Sequence, residues 1–458
     1  MTRKTMIFVF SFLLLVAGSG NAQESLSLSQ AIELGLKNNY DINISKAGVE
    51  MAQNQNSQGE AGRWPTLQFG VAQDNTATDF VQTSSPFQPQ GIMIQSTLSP
   101  SLSLNWMLFE GFKVDISRKR YDKLQFESEG NASIVVANTV QAIILGYYLV
   151  SLESERLEVF AKSLKLSRDR YQYVSLKREY GSAVTTDLLL EEGNYLTDSV
   201  NYVNQELAYR NAVRTLNTLL AVKEIDKEYT YTDPIGVPVE VYDLNTLEVK
   251  MLENNLDLKS KYINQSIVKY DLELAKSEMY PKFSLGARAS NTWGRVDQSN
   301  ALFLDQSTRE FVKLPAENQI AQTNNINYAL NFSLTYNLFS GRRINTAIKN
   351  AAIREDIGNI EIEKMTLSLR NDLYTNYDNF VFRKRIYGIN KRKLEAAELN
   401  LSVTEDKFKL GAINSFDFRT VQLNYLTSAL QELNSRYSLV ESDISLMRIT
   451  GSILEVYQ

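Results

Sequence analysis

The sequence predicts a mainly α-helical chain with a membrane β part, and three observations predict it. The second half of the chain repeats the first. Two long spans, Ser101 to Asp233 and Ala316 to Gln458, contain no proline, as long uninterrupted helices require. Four short segments alternate apolar and polar residues, the pattern of strands with one apolar face.

The repeat is collinear. Leu36-Lys37-Asn38-Asn39-Tyr40-Asp41-Ile42 returns as Leu252-Glu253-Asn254-Asn255-Leu256-Asp257-Leu258, and Trp64-Pro65 with Phe69-Gly70 returns as Tyr280-Pro281 with Leu285-Gly286, always 216 positions on. Further along, Leu108-Phe109-Glu110-Gly111 matches Leu338-Phe339-Ser340-Gly341, and Asn194-Tyr195-Leu196-Thr197 recurs identically from Asn424, now 230 positions on. The second copy therefore has a longer segment between about Ser290 and Asn327.

Each copy reads as helix, strand, loop, strand, long helix, turn, helix. The first repeat covers residues 23–221, with strands at 64–74 and 98–109, a long helix at 112–178 and a return helix at 183–221. An inter-repeat equatorial segment, 222–245, leads to the second repeat, 246–451. That copy has strands at 281–292 and 327–339, helices at 342–408 and 413–451, and a tail at 452–458. Pro86, Pro89, Pro100 and Pro315 are expected in or beside the loops. Ile143, Val150, Leu157, Leu164 and Tyr171 recur every seven residues, as do Leu373, Phe380, Tyr387, Leu394 and Leu401, which specifies a coiled-coil-like seam. The span Phe112 to Arg178 makes a helix of about 100 Å at ~1.5 Å per residue. The segments Tyr40 to Arg63 and Ala183 to Ala221, stacked, nearly equal it, which suits a wall of paired antiparallel helices.

In the strands, Leu67, Phe69 and Val71 share one face, as do Leu102, Leu104, Trp106 and Leu108. Phe283, Leu285 and Ala287 do the same in the second copy, with Phe332, Leu334, Tyr336 and Leu338. Trp64, Trp106 and Phe109, with Tyr280, Trp293 and Phe339, lie near strand ends and are candidate membrane-interface aromatics. A soluble sheet packed on helices would alternate in the same way. Four strands cannot close a barrel, and hydrocarbon does not tolerate an open edge, so several chains must share one. Two chains give an eight-stranded barrel that side chains nearly fill, so a conducting pore argues for three or more.

Composition narrows the function. The chain has neither histidine nor cysteine, which removes disulfides, the usual zinc sites and Ser-His or Cys-His catalysis. A net charge of -5 without a basic stripe gives no support to a nucleic-acid partner. No enzyme activity, cofactor or metal is called for. Arg3 and Lys4, the apolar run Met6 to Ala17 and the small residues through Ala22 read as a signal peptide at 1–22. After Gln23 no other uninterrupted apolar run of membrane length is expected.

The helix turns Tyr180-Gly181-Ser182-Ala183-Val184-Thr185-Thr186-Asp187 and Leu410-Gly411-Ala412-Ile413-Asn414-Ser415-Phe416-Asp417, the proline-led strand openings and the Leu-Phe-x-Gly strand exits, each occurring twice in order, resemble the outer-membrane efflux protein family, the TolC-like outer-membrane factors. The resemblance covers essentially the whole chain after the signal peptide. It implies a homotrimer with a twelve-stranded barrel in outer-membrane lipid of a Gram-negative cell and a helical tunnel in the periplasm. It also implies two partners, a periplasmic adaptor (membrane fusion) protein and an inner-membrane transporter that drives export. Tyr180, Gly181 and Ser182 with Leu410, Gly411 and Ala412 become the candidate adaptor-docking turns. Asp187 and Asp417 become the candidate tunnel aperture, because some members carry an acidic ring there. Thr420 stands at the second acidic position of those members and Ile413 where they have a basic residue. Stabilisation of a helix N-terminus is the other reading of both aspartates.

Two alternatives differ in class. A periplasmic coiled-coil scaffold or adaptor would share the helices and signal peptide but leaves two amphipathic strand pairs without a purpose. A hydrolase could use Glu191-Glu192, but neighbours on a helix diverge by about 100°, and such carboxylates are expected on a solvated face.

Overall fold

A computed structural model describes residues 24–81, 89–238 and 241–457. The signal-peptide segment 1–22 and Pro86 lie outside the described residues. The helices are α1 (Leu28–Asn38), α2 (Tyr40–Gln55), α3 (Lys113–Glu179), α4 (Thr185–Leu219), α5 (Leu244–Asn254), α6 (Leu256–Ser277), α7 (Arg343–Lys409), α8 (Ser415–Ile449) and α9 (Ile453–Tyr457). α3 and α7 are both 67 residues long and α4 and α8 both 35, each pair offset by the same 230 positions as the sequence matches. α2 ends at Gln55 rather than Arg63, where turns through Gly62, with φ of 84°, lead into the first strand.

The chain divides into two compact units. The helical unit comprises Met1–Glu50, Glu127–Tyr262 and Ile360–Gln458. In its main core, Ala137, Val140, Ile143, Ile144, Tyr147 and Val150 of α3 are fully buried among Ile32 of α1, Leu216 and Leu220 at the end of α4, and Ile444 of α8. One 18-residue window of α3 is apolar enough by composition to cross a membrane, although it is not an uninterrupted apolar run. Its buried apolar residues are instead those of this core, and Asn138, Thr139 and Gln141 interrupt the run. Tyr147 donates its hydroxyl to the Leu26 carbonyl at 2.9 Å and accepts the Asp233 N–H at 3.1 Å. The contact ties a two-residue parallel bridge, Ser25–Leu26 with Thr230–Tyr231, to the core. Leu247 and Met251 of α5 form a second cluster with Leu373, Phe380, Leu439 and Leu446.

The seven-residue seam holds at Ile143, Val150, Leu373, Phe380 and Leu401, all buried. Leu157, Leu164 and Tyr171 are only half-buried. Toward its C-terminal end α3 instead buries Ser163, Ser167, Arg170 and Val174, a different and mostly polar face, because its neighbours there are polar side chains of α4 and α8.

The second unit, Met51–Phe126 with Ile263–Asn359, holds the sheet. Its strands are β1 (Thr66–Phe80), β2 (Gln90–Glu110), β3 (Lys282–Leu304) and β4 (Ile320–Thr335). They pair antiparallel in the order β1-β2-β3-β4, and Phe311–Lys313 adds a short strand to β3. The strands outrun the amphipathic segments. Phe80 still pairs with Gly91 and Asp297 with Ile320, where loops were expected, because the backbone ladder continues after the apolar face stops. Pro100 therefore lies inside β2 rather than beside a loop. Its missing N–H falls where the ladder to β3 lapses, between Leu98–Trp293 and Ser101–Ser290. A register shift between Met107 and Phe109 puts Phe109, not Leu108, opposite Phe283. β4 ends at Thr335, paired with the first residue of β3, so Tyr336 and Leu338 lie beyond the ladder.

Candidate functional site

The register carries one apolar face across all four strands. Phe69 pairs with Leu102, Leu102 with Ala289, and Ala289 with Tyr328. Two residues along, Leu67, Leu104, Ala287 and Leu330 form the next row. The opposite face is polar or small, with Gln68, Ser103, Arg288 and Ala329 in one row and Gly70, Ser101, Ser290 and Asn327 in the next. Among the described residues nothing covers the apolar face of the outer strands: Phe69 is 70% exposed and Phe332 63%. From Phe283 to Trp293 on β3 the face runs about 34 Å at ~3.4 Å per residue. At a tilt of roughly 40–45° that spans about 25 Å, the height of the apolar band of a membrane barrel. Beyond Trp293 the same face turns polar, with Ser96, Arg295 and Gln322 side by side.

The sequence-predicted aromatics divide between the two rims of this band. Phe109 meets Phe112 edge-on with centroids 5.2 Å apart, and Phe112 meets Tyr280 at 5.9 Å. Trp106 donates its indole N–H to the Arg63 carbonyl at 3.0 Å, beside the exposed Trp64. Trp293, eleven residues into β3, sits at the other rim. Phe339 is 85% exposed and off the ladder, because its strand is an edge whose pairing has already ended. The strand exits beside these rings need two successive left-handed residues, Gly111 and Phe112 at φ of 56° and 64° and Gly341 and Arg342 at 61° and 64°. At Gly111 a Cβ would run into the Ser277 carbonyl, which accounts for the glycine of the first exit, whereas at Gly341 a Cβ meets no atom within 4 Å among the described residues.

At the far ends of the long helices the two turns are built alike. Gly181 and Gly411 have φ of 72° and 71°, and the N–H groups of Ser182 and Ala412 bond back to the Lys177 and Lys407 carbonyls at 2.7 and 2.9 Å, closing both helices. Tyr180 and Leu410 are 83% and 84% exposed, with no partner surface among the described residues. Asp187 and Asp417 are exposed first-turn carboxylates of α4 and α8. α8 has a side-chain cap, Asn414, which accepts the Asp417 N–H at 2.8 Å, whereas Val184 offers α4 none.

Sequence reasoning missed a buried polar cluster a few residues beyond these turns. Glu191, expected on a solvated face, pairs with Arg170 at 2.5 Å, and both side chains are 1% exposed. Arg170 also donates to Gln422 at 2.8 Å, and Gln422 donates to the Ser163 carbonyl at 2.9 Å. Arg419 grips both oxygens of Asp198 at 2.6 and 2.9 Å, and Ser167 bonds the same carboxylate. Arg170 Nη2 and Glu191 Oε1 have no hydrogen-bond partner among the described residues. Burial pulls the Arg170 guanidinium below its ordinary value, and the Glu191 carboxylate opposes that pull. The only signal in the sequence is asymmetry between repeats: Glu191 stands where the second copy has Val421, and Arg419 where the first has Leu189.

Comparison with known proteins agrees with this geometry. Residues 247–452 match the model of the outer membrane efflux protein family. Nodulation protein T of Rhizobium leguminosarum bv. viciae is 22% identical over 269 residues, 57% of this chain and 50% of that protein, so the match spans about half the length of the curated relative. Among solved structures, the outer membrane channel CmeC of Campylobacter jejuni superposes with a TM-score of 0.70 at 16% identity, covering 93% of this chain and 85% of that one. VceC, an outer membrane protein of Vibrio cholerae, gives 0.69 at 12% identity, covering 93% and 96%. The repeated motifs, the two-faced sheet and these likenesses converge: residues 247–452 match the outer membrane efflux protein family, and the chain has the fold of the outer-membrane channels on which it superposes.

Proposed function

We propose that three copies of this outer-membrane efflux channel protein close one twelve-stranded barrel, and that the pore is the passive outer conduit of a three-part export system. One observation carries this: the sheet has an uncovered apolar face of membrane height and two unpaired edges, β1 and β4. Hydrocarbon leaves an open edge unsatisfied, so β1 of one copy must meet β4 of the next. Eight strands would be plugged by side chains, and twelve leave a lumen. A scaffold reading leaves the apolar face facing water.

The paired turns at Gly181 and Gly411 are the surface for a periplasmic adaptor, supported by their exposed Tyr180 and Leu410 and by backbones that need no neighbour to hold them. An inner-membrane transporter supplies the energy. Asp187 and Asp417 line the aperture where the tunnel narrows, two carboxylates per copy.

The test is a pore assay on the mature protein. It resists extraction of outer membranes with alkaline carbonate and conducts ions across a planar lipid bilayer. Release by carbonate with no induced current contradicts the proposal.

A further inference from the structure

The polar face of the sheet carries one charge where the barrel crosses the membrane. Arg288 on β3 is exposed, with Ser103 opposite it on β2, Ala329 opposite it on β4, and Gln68 beyond Ser103 on β1. From the row of Ser284 to the row of Thr292, every other residue on that face is uncharged. Gly286 and Ser290, its neighbours along the strand, are too small to wall it in. The nearest acidic groups on the same face are Glu110, which is paired with Lys282 at 2.7 Å, and Asp74, in the row of Thr97 and Gly294. Each of these rows is six residues from Arg288, about 20 Å at ~3.4 Å per residue, well beyond a Debye length of about 8 Å at physiological salt.

We propose that Arg288 forms a threefold cationic ring in the wall of the pore at mid-membrane, and that the ring favours anionic over cationic cargo in its passage through the barrel. The inference rests on the shared-barrel reading. In a closed barrel the apolar face must meet lipid, so the face bearing Arg288 meets the lumen. Three guanidiniums in a confined aqueous space surrounded by low-dielectric wall raise the local concentration of anions and lower that of cations. Arginine holds its charge at any physiological pH and presents a planar fork suited to carboxylates, sulfates and phosphates, so carboxylated, sulfated or phosphorylated solutes are the class it favours.

The chain contains no cysteine, so a single introduced thiol reports on its own surroundings. Ser290→Cys places one on the lumen face next to Arg288, and Ala289→Cys places one on the lipid face. The measurement is the rate of modification by a negatively charged and by a positively charged methanethiosulfonate of equal size, in outer membranes where the barrel is reached from outside. For Ser290→Cys the anionic reagent is favoured, and the anion-to-cation rate ratio falls on the order of 5-fold when Arg288→Gln is added, by the Coulomb terms of nearby charges in water. Arg288→Lys keeps the ratio near that of the unmodified ring. A ratio unchanged by Arg288→Gln overturns the ring while leaving the pore standing. Reaction at Ala289→Cys but not at Ser290→Cys would invert the faces, and would overturn the barrel reading together with the ring.

Discussion

The Asn39 side chain donates to the Leu219 carbonyl at 2.9 Å while its own oxygen accepts the N–H groups of Asp41 and Ile42, at 2.9 and 3.2 Å. One buried amide thus opens α2 and fastens it to the last turn of α4. Asn255 does the same in the second repeat, donating to Ile449 at 2.8 Å and accepting from Leu258 at 2.9 Å. Replacing Asn39 with Leu leaves a helix N-terminus and a helix C-terminus unpaired in a buried place. A loss of about 1–3 kcal/mol is expected, seen as a lower thermal midpoint by circular dichroism. Asn39→Asp keeps the acceptor but loses the donor, and should fall between the two.

The buried Arg170–Glu191 pair predicts a non-additive result. Removing one partner, as in Glu191→Leu, strands a guanidinium that is already short of one hydrogen bond, and should cost about 3–5 kcal/mol. Arg170→Met with Glu191→Leu removes both charges and should recover most of that loss, because the desolvation of both ions is also removed. Urea titration of the four proteins checks it, and equal or larger damage in the double variant would contradict it.

Glu432, half-way along α8, gives a pH dependence. Burial raises its carboxyl above the ordinary value, with Arg436, 3.4 Å away, pulling the other way. A carboxyl whose pKa rises on folding contributes stability when protonated and loses it as pH climbs through the folded value. Unmodified protein should therefore lose thermal stability relative to Glu432→Gln as the pH rises above about 4, the ordinary range of a glutamate carboxyl. A gap between the two that does not change with pH would show that the charge on Glu432 is not penalised.

The turns predict a functional loss without a folding loss. A Cβ added at Gly181 or Gly411 meets no atom within 4 Å among the described residues, so the main cost of valine there is backbone strain, about 1–2 kcal/mol for a left-handed residue. Gly181→Val and Gly411→Val should leave oligomer and barrel intact while weakening cross-linking to the adaptor and slowing export. Unchanged cross-linking and export would remove the turns from the docking surface.

Much of this fold was legible because its signals are periodic or duplicated. Proline-free spans bound α3 and α7, and a constant offset places α4 and α8. The strands were legible only where one face is apolar, since Asp74 to Phe80 and Gly294 to Leu304 hold their place by backbone pairing that leaves no pattern in side chains. The motif holding Asn39 was visible as a repeat, but its purpose required knowing that Leu219 lies beside it. Arg170 and Glu191 were hidden for a related reason: the rotation of each long helix decides whether a charge meets water or a partner, and a sequence read one helix at a time does not fix it. Arg288 is one polar position of an alternating strand in the sequence, and becomes distinct only when the register shows its neighbours to be uncharged.

The most direct measurement is the mass of the mature protein extracted from outer membranes, corrected for bound detergent. Three copies sharing one barrel predict a particle of three protomer masses that stays together until the sheet unfolds. A particle of one protomer mass, folded and stable in detergent, would leave β1 and β4 as free edges and contradict the shared barrel.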